Sequence, residues 1–150
     1  MTFSEAVRAF YEPLGPAHHM VLATADDARV SARMMSVIQL DGLFYFQTDV
    51  TLRKHAQLQR NPRAALCAEN LQVEGACRLL GRPMAHEPFL AAFEQAFPST
   101  YARYTALENE VLYVLEPDFA QKWIYQGGQP FVERLDYAAQ ACEKRPYLGR

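Results

Sequence analysis

The sequence predicts a mainly β protein of the α+β class: a small, closed or partly closed antiparallel barrel with helices at its periphery. Three observations carry this. Short strand-like segments recur along the chain, tight turn signals join the first three in series, and helical segments are inserted between strands only intermittently. A doubly wound parallel sheet would need strand and helix to alternate throughout, and here they do not. A length of 150 residues fits one domain, 1–150, with a substantial core.

Each element has its own signal. Thr2 and Glu5 have the spacing of a capping box, and Phe3, Val7 and Phe10 form one stripe, so a helix is expected over about Phe3–Tyr11. Pro13-Leu14-Gly15-Pro16 ends it. His19–Ala25 reads as a strand closed by Asp26-Asp27-Ala28. Arg29–Leu40 is a longer second strand, and Asp41-Gly42 is a hairpin turn leading into Leu43–Thr48. Leu52–Arg60 is helical and stops at Asn61-Pro62. Arg63–Ala68 and Gln72–Leu80 are strands, and Gly75 marks a bulge or a close backbone approach in the second. Pro88–Phe97 and Thr100–Leu107 are expected helices, with Phe89, Phe93 and Phe97 at i, i+4, i+8. Glu110–Leu115 and Phe119–Tyr125 read as two strands split by Glu116-Pro117-Asp118, and the tail from Asp136 as partly helical or loose.

Composition excludes several classes. Half the residues are hydrophobic and the net charge is −2, ordinary for a globular protein and unlike a basic nucleic-acid scaffold. No apolar run reaches the roughly 18 residues of a membrane span. The start, Met1 to Arg8, lacks the cationic and apolar pattern of a secretory signal. Cys67, Cys77 and Cys142 are an odd count without close pairing, which points to reduced thiols and a cytoplasmic protein. All three read as buried small hydrophobes.

The chemistry concentrates in Phe44–His55. An aromatic strand runs through Thr48, a short polar turn follows, and the next helix opens with Arg53-Lys54. Cations in a first helical turn oppose the helix dipole, at a cost of a few tenths to about 1 kcal/mol. An anion seated there removes that conflict, and a helix N-terminus already offers unpaired N–H groups. Thr51, placed in the same first turn, adds a hydroxyl donor.

The run Arg29–Val37, then Asp41–Thr48, then Arg53-Lys54, then Asn61-Pro62-Arg63-Ala64-Ala65-Leu66 resembles the pyridoxamine 5′-phosphate oxidase-like family of flavin-binding split barrels. Val73-Glu74-Gly75 and Gly81 fit the same pattern, and the resemblance spans about Met20–Pro83. It implies a Greek-key split barrel with FMN bound at a homodimer interface. By position it assigns Arg33, Arg53 and Lys54 to the phosphate, with Thr48 and Thr51 as hydroxyl donors. Met34, Met35 and Ser36 would lie along the isoalloxazine ring and Gln47 near its polar edge. Asn70 stands where the oxidases usually have a Gln. Three cations suit a phosphate dianion, and a guanidinium engages two oxygens at once. The ending Cys142–Arg150 does not align with the substrate-holding segment of the true oxidases. The likeness is therefore to small stress-protein and nitroimidazole-reductase-like relatives.

The resemblance implies an FMN-dependent oxidoreductase acting on a small molecule, with NAD(P)H as a possible electron source and no nucleic acid or membrane partner. A non-catalytic flavin-sensing or storage module, or a barrel using deazaflavin F420 or haem, are the alternatives. Haem would need a histidine from His18, His19, His55 or His86. His18-His19 point to opposite faces of a strand and lack ligand-spaced partners, so no metal site is expected. Trp123 is expected in the core or a dimer interface. No Gly-x-Ser-x-Gly elbow or Gly-x-Gly-x-x-Gly loop occurs, so neither a serine nucleophile nor a Rossmann nicotinamide site is expected, and the chemistry the resemblance implies is that of a flavin.

Overall fold

The computed structural model describes all 150 residues. In chain order the elements are α1 (Phe3–Tyr11), β1 (Ala17–Asp26), β2 (Arg29–Leu40), β3 (Leu43–Asp49), α2 (Arg53–Arg60), β4 (Arg63–Ala68) and β5 (Leu71–Gly81). Then follow α3 (Glu87–Ala96), α4 (Pro98–Tyr104), β6 (Glu110–Gln126), β7 (Gln129–Asp136) and β8 (Ala141–Pro146). All strand pairs are antiparallel, in the order β3-β2-β1-β4-β5-β6-β7-β8, and a further β3–β6 pairing closes the first six strands into a barrel. The expected mainly β barrel with peripheral helices is the fold found.

Local chemistry explains the joins. Thr2 Oγ1 accepts from Glu5 N at 3.1 Å, while Thr2 N donates to Glu5 Oε2 at 2.8 Å, completing the capping box of α1. Asp41 and Gly42 both have positive φ, at 52° and 81°, the backbone a tight β2–β3 hairpin requires. A Cβ on Gly42 would sit 2.5 Å from Val7 Cγ1, so α1 packs directly over that turn. Gly75 makes the close approach expected of it. The β5–β6 register shifts there, and a Cβ would lie 2.2 Å from Glu116 O.

Two elements differ from expectation. Glu116-Pro117-Asp118 does not break the sixth strand, which runs unbroken for 17 residues. Its Pro117 pairs with Gly75 at the bulge, where the ladder tolerates a missing N–H. The tail is neither helical nor loose: β7, entered from β6 through Gly127-Gly128, and β8 continue the sheet beyond the barrel. Their outward charges hid the pattern. Inward, Leu135 is buried and Tyr137 Oη lies 2.7 Å from the buried Tyr11 Oη.

The main core fills the barrel with Met20, Leu22, Phe44, Phe46, Leu66, Val73 and Leu115, and α1 adds Phe10 and Tyr11. A second cluster sets α3 on the outside of β2 and β6, where Phe89 and Phe93 pack on Ile38 and Leu112. That docking carries α4 with it and fixes what stands over the adjacent cleft. Of the cysteines only Cys77 is buried, and burial pushes its thiol up to about 12. Cys67 and Cys142 are exposed, because β4 and β8 turn them to the outer face.

Candidate functional site

β2 pairs with β1 along its length but with β3 only through Ile38–Leu40. Beyond that point β3 turns to β6, so the barrel splits between Arg29–Val37 of one strand and Phe46–Asp49 of the other. A cavity of about 470 Å³ occupies the split. Met34, Met35 and Ser36 line one side, Gln47, Thr48 and Asp49 the other, Leu52 and Lys54 one end. Phe93, Thr100, Tyr104 and Leu107 of the α3–α4 region complete the wall, together with Glu110.

Strand alternation separates the two methionines. Met35 sits opposite Met20 and packs on the core, whereas Met34 is 60% exposed. Gln47 is 7% exposed; its Oε1 accepts from Thr105 Oγ1 at 3.0 Å, and its Nε2 has no hydrogen-bond partner. A buried donor without an acceptor is costly, and here it belongs to a residue of the cavity wall.

The cations gather at the α2 end. Leu52 is the N-cap of α2 and supplies no side-chain acceptor, so the first-turn N–H groups have no side-chain cap. Arg53 and Lys54 therefore open the helix as expected. Thr51 lies before it, outside the first turn, and donates from both N and Oγ1 to Asp49 Oδ1 at 2.7 Å. Those two bonds hold the Asp49 carboxyl below its usual range. Arg33 reaches inward from β2. Its Nη1 donates to Thr24 Oγ1 at 2.8 Å and Leu22 O at 3.2 Å, and its Nη2 to Gln57 Oε1 at 3.3 Å. None of these partners is charged.

Arg33, Arg53 and Lys54 take part in none of the six ion pairs within 4.0 Å. They act on one another, and Glu110 and Asp49 act on Lys54 in the opposite sense. Burial and then the field of Arg53 lower the proton affinity of Arg33, and burial and then Arg33 lower that of Lys54. Three mutually repelling cations stand beside an uncapped helix end, the setting in which an anion relieves both the repulsion and the unpaired N–H groups.

Of the ten expected contact residues six line the cavity; Arg33, Thr51, Arg53 and Asn70 do not. Asn70, at the β4–β5 turn, donates to Trp123 O at 2.9 Å and is not part of the cavity wall. His55 Nδ1 is 2.7 Å from Tyr113 Oη, which also accepts from Gln59 Nε2 at 3.0 Å. No histidine lines the cavity, and no cluster of three or more His, Cys, Asp or Glu is arranged to hold a metal ion. Sequence reasoning missed Glu110, the α3–α4 wall, and the Thr24–Gln57 pair that grips Arg33. Only Gln57 left a trace, as a polar residue beside Leu58 on the inward face of α2.

Fold and site together define a split antiparallel barrel with a cleft between β2 and β3 that has a cation cluster at its α2 end. The chain belongs to the pyridoxamine 5′-phosphate oxidase family, whose model matches residues 3–124. Among solved structures, it is similar to a pyridoxamine 5′-phosphate oxidase-related, FMN-binding protein from Nostoc punctiforme (15% identity, TM-score 0.61, 95% of this chain and 94% of that one). It is also similar to the haem storage protein HutZ from Vibrio cholerae (16% identity, TM-score 0.60, 78% and 91%). An Agrobacterium tumefaciens protein of unknown function is similar over 78% of this chain (20% identity, TM-score 0.64), and the match spans only 55% of that longer protein. At these identities the likeness is one of fold. No curated protein matches the sequence. No helix is long and apolar enough to cross a membrane.

Proposed function

We propose that this chain is an FMN-dependent oxidoreductase, working as a homodimer in the cytoplasm and passing two electrons from a reduced pyridine nucleotide to a small acceptor. The observation that carries the reading is the cation set. Arg33, Arg53 and Lys54 converge at the uncapped start of α2 with no carboxylate within ion-pair distance, and Lys54 reaches into one end of a cavity. A phosphate dianion satisfies all three, and each contact is charge-assisted.

The rest of the wall fits a flat, partly polar ring. Met34, Met35 and Ser36 would run along it, with Thr48 beside them and the unpartnered Gln47 Nε2 turned to an acceptor on its edge. Thr51 would act indirectly, by holding Asp49. Asn70 lies off this cavity, so a contact from it would come from a second copy of the chain. FMN held in this way supplies hydride and electron transfer, and the protein contributes binding, orientation and exclusion of water.

The outer face of the sheet supports the dimer. Met34, Ala32 and Val30 on β2 stand beside Val21, Ala23 and Ala25 on β1 and Cys67 and Ala65 on β4, an apolar surface that borders the split. Val30 is 73% exposed in the single chain. A second copy seated there would cover both this surface and the mouth of the cleft.

Titrating FMN into the apoprotein tests the cofactor. A perturbed flavin spectrum and a raised melting temperature are expected, and neither appearing overturns the reading. Lys54→Glu replaces a cation with an anion at the phosphate end and should weaken FMN by more than about tenfold. Unchanged affinity would move the phosphate elsewhere.

A further inference from the structure

Glu110 opens β6, lines the cavity and is only 6% exposed. Its position faces Asp49 across the β3–β6 ladder. The two carboxylates are treated differently by the fold. Asp49 receives two hydrogen bonds from Thr51, whereas Glu110 receives none. Around Glu110, β3 presents Asp49, α2 presents Lys54, and the α4 side presents Tyr104 on the same wall. Burial, and then the facing Asp49, raise the Glu110 carboxyl above its ordinary range; Lys54 is the one group that opposes them.

We propose that Glu110 is the proton-carrying residue of this cavity: it takes up a proton when a phosphate occupies the α2 end, and then presents a neutral carboxylic acid to whatever fills the remainder. This rests on the phosphate reading above. A dianion at Lys54 acts twice on Glu110. It adds negative charge to the same cavity, and it cancels the field of the lysine that favours the ionised form of Glu110. No other cation on this wall replaces that field. In the loaded site the carboxylic acid donates a hydrogen bond, so the remaining space selects molecules that present an acceptor there, such as a carbonyl, a nitro group or an aromatic ring nitrogen. A carboxylate in its place would repel the same atoms.

The test is calorimetric titration of the apoprotein with FMN and with riboflavin at pH 8, in two buffers of different ionisation enthalpy. At that pH the FMN phosphate is already a dianion, so it does not itself exchange protons. FMN binding should take up more protons than riboflavin binding, and Glu110→Gln should remove a large part of that excess, Lys54 supplying the rest. FMN affinity of the native protein should fall several-fold more than that of Glu110→Gln between pH 6.5 and 8.5. At the upper pH the variant should bind FMN tighter. FMN binding with the same uptake as riboflavin, or an excess unchanged in Glu110→Gln, overturns this proposal and leaves the cofactor reading intact. Failure of the native protein to bind FMN overturns both. Should Glu110→Gln impair folding, Lys54→Arg decides the matter: its guanidinium keeps the charge but does not titrate, so the excess over riboflavin should persist in it, and loss of the excess overturns the proposal.

Discussion

A buried amide nitrogen without a partner costs about 1–3 kcal/mol, and Gln47 Nε2 is the one such side-chain atom in this chain. Removing it tests whether that cost serves binding. Gln47→Leu also strands the Thr105 hydroxyl, which now donates to Gln47 Oε1. The two effects oppose each other, so apoprotein stability should change by less than about 1 kcal/mol in a denaturant titration. FMN affinity in the same variant should drop several-fold, because no other residue of the wall offers this donor. At Arg33 the fold does the opposite and satisfies the group. Thr24 and Gln57, both nearly inaccessible, accept from two of its nitrogens and leave its charge unpaired. A cation held by neutral acceptors stays available to an anion.

At the scale of elements, the bulge between β5 and β6 lets the barrel strands pass closely, and the α3–α4 segment forms one wall of the cleft. Gly75 lets β6 pass with Glu116 O within 2.2 Å of where a Cβ would be. The atom met is backbone, which cannot swing aside. Gly75→Ala should therefore destabilise by about 1–3 kcal/mol or more, read as a lower denaturant midpoint. On the other wall, Arg82 donates to Glu108 O at 2.8 Å and to Leu107 O at 3.0 Å, clamping the loop between α4 and β6. Leu107 and Glu110 both line the cavity. Arg82→Ala should loosen this wall, giving faster amide exchange over residues 105–110 with little change in the barrel strands.

For the whole molecule, the open question of architecture is what covers the outer face of β1, β2 and β4. Alanines at 23, 32 and 65 lie in neighbouring register and form a flat apolar patch on that face, with Arg63 at its edge. Ala32→Glu places a charge in its middle, away from the core. If the face is the dimer surface, sedimentation should show the variant as a folded monomer with weakened FMN binding, because the cleft borders the same surface. A dimer that survives the substitution uses another face.

The sequence by itself determined the first five strands, the hairpin at Asp41-Gly42, the capped first helix and the cation pair at the start of α2. Each rests on neighbours within a few residues, where backbone preference, alternation and capping act. It also indicated the barrel, because antiparallel strands joined by tight turns leave few other ways to bury both ends of a sheet. It did not reveal β7 and β8, whose polar outward residues mask an inward pattern that exists only once Tyr11 and the barrel are present to receive it. Nor did it show that Arg33 is gripped by Thr24 and Gln57, that Thr51 is spent on Asp49, or that Glu110 comes to face Asp49. Those pairings join residues between 2 and 61 positions apart. The longer ones follow from strand register and helix docking, and only the tertiary structure sets which buried group meets which charge.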